Sequence, residues 1–84
     1  MIVNDQIRRL GESLKGRLDS SLVDDALEYI NYSENVLAFE TLCDHIGDLD
    51  IKITEYEYNQ ILNIVSELNL TLSNRYLYIK PKSS

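Results

Sequence analysis

Eighty-four residues with 44% hydrophobic side chains make one small domain, too short for a second core and too apolar for a disordered tail. Three glycines and one proline disfavour turn-rich sandwiches and barrels, and a single cysteine excludes an internal disulfide and a multi-cysteine zinc site. Fourteen acids against eight bases give a net charge of −6, no apolar run approaches the roughly 20 residues that cross a bilayer, and Met1-Ile2-Val3-Asn4-Asp5 lacks the pattern of a secretory signal, so a soluble cytoplasmic protein is expected.

The apolar spacing is helical. Val3, Ile7, Leu10, Leu14 and Leu18 fall on one stripe of an amphipathic helix. Gly11 weakens its interior and Gly16 is a stop, so helix one is predicted over 3–15. Ser21 followed by Asp24 resembles a weak capping box. Leu22, Val23, Ala26, Leu27 and Ile30 then form the apolar face of a helix over 21–31. Asp24, Asp25 and Glu28 lie away from that face, and the first two suit the positive end of its dipole.

Asn31-Tyr32-Ser33 interrupts the pattern, with Ser33 read as the N-cap of helix three. Val36, Leu37, Phe39, Leu42, Cys43 and Ile46 give it a broad apolar face, and Gly47 is read as its left-handed terminator. Asp48 to Ile53 alternates but has no partner strand. It is read as an extended connection with Leu49, Ile51 and Ile53 tucked under the helices. Thr54-Glu55-Tyr56-Glu57 is a capping box, and Ile53 and Tyr58 are spaced for a hydrophobic staple. Helix four follows over 55–68 with Asn69 as C-cap. Residues 71–84 admit two readings, a short helix started at Ser73 or an extended segment across the bundle, ended by Pro81. The predicted fold is all-α: one domain over 1–84, a compact bundle of four, or with the last stretch five, short helices.

Charge is distributed unevenly. Residues 1–18 carry Arg8, Arg9, Lys15 and Arg17 against Asp5 and Glu12, a balance of +2. Residues 58–84 carry Arg75, Lys80 and Lys82 against Glu67, again +2. Between them, 19–57 hold eleven acids opposed by Lys52 alone, a balance of −10. Such a segment repels nucleic-acid phosphates and anionic lipid and attracts a basic partner. The plain alternative is a solvated acidic surface that aids solubility.

No constellation for catalysis is present. Cys43 and His45 are two residues apart, about 200° around a helix, so they form no nucleophile–base pair in that segment. Asp44 and Asp48 are one turn apart, near Asp50, but Lys52 and Ile53 stand where a calcium loop needs an oxygen ligand and a glycine. Asp24, Asp25 and Glu28 lack the cleft that would set one carboxyl pKa against another. There is no glycine-rich phosphate loop and no serine elbow. No catalytic residue, cofactor or metal is assigned. What remains is surface: six tyrosines, of which Tyr32 stands near Glu28 and Glu34, and Tyr56 between Glu55 and Glu57. Tyrosine is enriched at interfaces, and packing at the rim of a bundle is its ordinary alternative.

Four stretches together resemble the small immunity proteins of the MafI type. They are Asp25-Ala26-Leu27-Glu28-Tyr29-Ile30, Ser33-Glu34-Asn35, Leu37-Ala38-Phe39-Glu40-Thr41-Leu42-Cys43-Asp44-His45-Ile46, and Ile53-Thr54-Glu55-Tyr56-Glu57-Tyr58. The resemblance covers residues 22–70 and rests on an acidic-hydrophobic pattern. Immunity proteins of contact-dependent growth inhibition systems are similar helical proteins. The resemblance implies a cytoplasmic protein that is no enzyme and that binds and blocks the C-terminal domain of a cognate secreted toxin. Many such toxins are nucleases, whose lysines and arginines hold phosphate, so an acidic inhibitor can be steered to that groove as a mimic of substrate charge. Protection would need nanomolar binding, roughly −12 kcal/mol. The expected partner-binding face combines Asp24, Asp25, Glu28, Tyr32, Glu34, Asp48, Asp50, Glu55 and Tyr56, with no direct nucleic-acid or membrane contact. Glu57, and in part Asp24 and Glu55, could instead only cap helices. Two other classes stay open: a helical adaptor or regulatory protein for another basic protein, and a small nucleic-acid-binding regulator using the basic residues of helix one.

Overall fold

The stripe Ile7, Leu10, Leu14 and Leu18 is buried to 2% exposure or less and seats the first helix, α1 (Ile2–Leu14). The computed structural model describes residues 2–81; Met1 and 82–84, the end of the uncertain C-terminal stretch, lie outside the described residues. After α1 come α2 (Ser20–Glu28), a 3-10 turn (Tyr29–Tyr32), α3 (Asn35–Asp48), α4 (Glu55–Glu67) and the short α5 (Asn74–Leu77). The fold is an all-α bundle of four longer helices and a fifth of one turn. Of the two readings of the last stretch, the helical one is observed, with the Tyr76 and Leu77 amides donating to the Ser73 carbonyl.

α3 packs against α1, α2 and α5, and α1 also against α2 and α4. Their shared core holds Ala38, Phe39, Leu42, Cys43 and Ile46 of α3 and Ile61, Ile64 and Val65 of α4. Phe39 stacks on Tyr76 with ring centroids 5.6 Å apart, tying the C-terminal segment to α3. The radius of gyration, 11.7 Å, matches the roughly 12 Å of a close-packed chain of this length. Leu37 departs from the predicted core: it is 39% exposed, on the helical row of Thr41 and Asp44. Leu49, expected under the helices, is 52% exposed, whereas Ile53 is buried and Ile51 half-buried.

The helix ends show how local chemistry sets the boundaries. Thr54 and Glu57 form the predicted capping box, the Glu57 amide donating to Thr54 Oγ1 (3.0 Å) and the Thr54 amide to Glu57 Oε1 (2.9 Å). Ile53 and Tyr58, both buried, flank it as the staple. Ser21 is not the cap of α2. Asp19 is, because its carboxylate accepts from both the amide and the hydroxyl of Ser21 at 2.8 Å and is the stronger acceptor. α2 also stops at Glu28, and 29–32 tighten into the 3-10 turn.

Three left-handed residues that are not glycine end helical segments, each with the same pair of backbone bonds. Ser33 (φ 61°) closes the 3-10 turn, with Glu34 N–H on Tyr29 O at 3.0 Å and Ser33 N–H on Ile30 O at 3.1 Å. It is therefore a terminator and not the N-cap of α3; that place is Glu34, whose side chain makes no capping bond. Asp50 (φ 55°) ends α3, with Ile51 N–H on Ile46 O at 2.9 Å and Asp50 N–H on Gly47 O at 3.3 Å. Asn69 (φ 56°) ends α4 in the same way. Gly47, expected to be left-handed, stays inside the helix. A terminator there would put Asp48 where this motif wants an apolar residue, whereas Asp50 puts Ile51 there, packed on the core.

Candidate functional site

Part of the acidic charge turns inward. Gly16, at φ 102°, lets the chain leave α1 in a turn that returns Arg17 toward α4. The Arg17 guanidinium meets Glu57 with two parallel bonds, Nη1 to Oε1 at 2.9 Å and Nη2 to Oε2 at 2.6 Å. It also donates to the carbonyls of Ser13 (2.6 Å) and Lys52 (2.9 Å). Glu57 is 5% exposed, and Arg17 above all holds its carboxyl down at about 2, against the opposing effect of burial. The pair thus joins the end of α1, the connection before α4 and the α4 cap.

The basic residues of α1 reach α2 as well. Lys15 Nζ lies 2.8 Å from Asp24 and 3.2 Å from Glu12, and bonds to these two, Asp24 first, raise its pKa. Arg8 donates to the Asn31 side chain at 3.2 Å. Between the two helices runs an open groove of about 410 Å³ lined by Arg8, Glu12, Asp24, Asp25, Leu27, Glu28 and Asn31. Its floor depends on Gly11: a Cβ there would stand 3.0 Å from a Leu27 methyl, so a glycine is what brings α1 this near to α2.

A fourth basic residue works from the other end of the chain. Arg75 Nε donates to Asp44 at 2.9 Å and its Nη1 lies 3.0 Å from Glu40. Glu40, Asp44 and Asp48 follow one another at intervals of four along α3, so the arginine clamps the first two of an acidic row. Beside it a groove of about 550 Å³ is lined by Cys43, Asp44, Gly47, Asp48, Arg75 and Tyr78. A second groove, about 350 Å³, lies on the other side of Tyr78 and is lined by Asp50, Ile51, Lys52, Ile53, Ile79 and Lys80 among others.

These pairs sort the nine sequence-predicted residues. Asp24 is tied to Lys15 and does not cap α2, whereas Asp25 and Glu28 line the α1–α2 groove without an ion pair among the described residues. Tyr32, 69% exposed, and Glu34 stand at the start of α3. Asp48 and Asp50 lie at its far end, in separate grooves on either side of Tyr78. Glu55 and Tyr56, the latter 72% exposed, open α4. α3 has 14 residues, so Glu34 and Asp48 are about 20 Å apart along its axis. The nine residues are therefore distributed over four places that share no hydrogen bond, ion pair or groove among the described residues.

Tyr78 is the exposed residue that the sequence reading passed over: it is 73% exposed and forms the ridge between two grooves. Its signal was only the aromatic and β-branched run at 76–79. Cys43 is 1% exposed; burial first, then Asp44, pushes its thiol far above the ordinary range and leaves it a core residue. Among the described residues no three of His, Cys, Asp and Glu are grouped to hold a metal ion, and no helix is long and apolar enough to cross a membrane. Comparison with protein-family models, with curated proteins and with solved structures finds no match.

Proposed function

We propose that this chain is an immunity protein, which binds the C-terminal domain of a cognate secreted toxin in the cytoplasm and blocks it without chemistry of its own. The toxin would be a nuclease, such as a ribonuclease. The observation that carries the reading is that six acids of the expected face, Asp25, Glu28, Glu34, Asp48, Asp50 and Glu55, have no ion pair among the described residues and stand along with exposed Tyr32 and Tyr56. The resemblance of residues 22–70 to MafI-type immunity proteins points the same way.

The physics follows from that inventory. Unpaired acids generate a field that steers a basic protein surface inward and raises the association rate. Tyrosines supply contact area at low entropy cost and slow dissociation. Acids at both ends of α3, about 20 Å apart, fit within a standard interface of about 800 Å² per partner.

The test is co-expression with the adjacent open reading frame, scored for growth rescue and co-purification. Charge reversal at Asp25, Glu28, Glu34 and Asp50 should then slow association and weaken protection. Four variants that all protect fully and associate at the normal rate would show that the contact face lies elsewhere.

A further inference from the structure

We propose that residues 71–81 form a clasp that opens as a unit while the four longer helices stay folded, and that its opening controls access to the α3 face carrying Phe39, Cys43 and the Glu40–Asp44 pair. The hinge is set by the end of α4. Leu70 N–H makes the last bond of that helix terminus, on Val65 O at 2.9 Å. The amides of Thr71, Leu72 and Ser73 then donate to no backbone carbonyl among the described residues, and all three side chains are exposed. These three residues therefore add no amide bond between α4 and α5.

α5 has four residues, far fewer than the roughly 12–15 an isolated helix needs, so only its contacts keep it formed. Those contacts are few. Tyr76 and Ile79 are buried, at 2% and 7% exposure, and Arg75, 40% exposed, pairs with Glu40 and Asp44. Leu72, Leu77 and Tyr78 face solvent. Two buried side chains and one half-exposed guanidinium therefore hold the whole segment in place against its backbone entropy. The four longer helices pack on one another through α1–α2, α1–α3, α1–α4 and α2–α3, none of which involves the clasp. A segment with few buried contacts and an unbonded hinge belongs to the low-stability end of a native structure.

Closed, the clasp stacks Tyr76 on the Phe39 ring and shares a groove with Cys43 through Arg75 and Tyr78, and Cys43 is 1% exposed. Open, it frees the carboxylates of Glu40 and Asp44 in line with Asp48, beside an uncovered aromatic ring. The inference needs no partner and stands apart from the immunity reading.

Cys43 is the chain's only cysteine and reports the opening directly. The full-length chain is labelled with Ellman's reagent across sub-denaturing urea, with global unfolding followed by far-ultraviolet circular dichroism. The expected result is a Cys43 opening constant in water at least about tenfold above the global unfolding constant, with a weaker urea dependence. Arg75→Gln should speed labelling about two- to fivefold. Ile7→Val, a conservative change in the α1 core, should raise global unfolding about two- to tenfold and leave Cys43 labelling unchanged. In the wild-type chain the Tyr76, Leu77 and Lys80 amides should exchange with solvent at the rate of Cys43 opening. If Cys43 instead labels with the urea slope of global unfolding, and Ile7→Val accelerates labelling by the same factor as unfolding, the segment is part of one cooperative core and the clasp is overturned.

Discussion

Arg17 and Glu57, forty positions apart in sequence, are joined by two parallel bonds of 2.9 and 2.6 Å, and the same carboxylate caps α4 through the Thr54 amide. One acid thus serves as helix cap and as tertiary tether, and the bundle depends on its being ionised. Its carboxyl titrates at about 2 in the folded chain, against an ordinary value near 4.5. A depressed carboxyl pKa stabilises the fold above the unfolded value, and that stability drains away as pH falls from about 4.5 through about 2. With the Arg17 side chain 38% exposed and partly screened, the contribution is about 2 kcal/mol. The unfolding free energy of Glu57→Gln from urea titration should lie below wild type by that amount at pH 7 and converge on it at pH 2.

Ser33 should prove a strained terminator. It holds φ 61° with a hydroxyl that bonds the local backbone more weakly than the amide side chain Asn69 offers at φ 56°. Ser33→Gly is expected to stabilise the chain by about 0.5–1 kcal/mol, and Asn69→Gly to change it by less than about 0.3 kcal/mol. Urea denaturation of the two variants checks the difference.

The close approach of α1 to α2 predicts a graded response at Gly11. Alanine gains helix propensity but presses Leu27, whose Cγ would lie 3.2 Å from the new Cβ, so the two effects should nearly cancel. Valine adds branched bulk with nowhere to go and should cost about 1–3 kcal/mol. Thermal melts of Gly11→Ala and Gly11→Val test the pair, and the double variant Gly11→Val with Leu27→Ala should recover part of the loss.

Association kinetics with the toxin domain should separate two kinds of acid. Reversal at Asp25 or Glu28, which have no ion pair among the described residues, should lower the association rate about two- to fivefold at low salt, with the difference fading as salt is raised. Glu40→Gln removes one charge outside the expected face and should lower the rate less than any of those reversals, each of which changes two.

Helix content was legible in the sequence because burial enforces periodicity: the stripe Ile7, Leu10 and Leu14 is the same in pattern and in structure, while Leu18 is buried from beyond the helix, past the Gly16 turn. The capping box at Thr54 was legible because both partners are local. Boundaries decided by a competition between neighbours were not. Asp19 displaced Ser21 as a cap, and Ile51 moved the end of α3 from Gly47 to Asp50. The candidate face was legible as composition but not as geometry. Pairing of Lys15, Arg17 and Arg75 with Asp24, Glu57, Glu40 and Asp44 depends on contacts between distant segments. The charges of +2, −10 and +2 along the chain were its one visible trace.

The division between clamped and unclamped carboxylates has a consequence for how such a scaffold can change over generations. Glu57, Asp19, Glu40 and Asp44 are committed to architecture, so their loss is felt in folding. Asp25, Glu28, Glu34 and Glu55 carry no such duty among the described residues, and drift at those positions leaves the architecture intact. Under the proposed function, those positions are where recognition could be altered one residue at a time without loss of the fold.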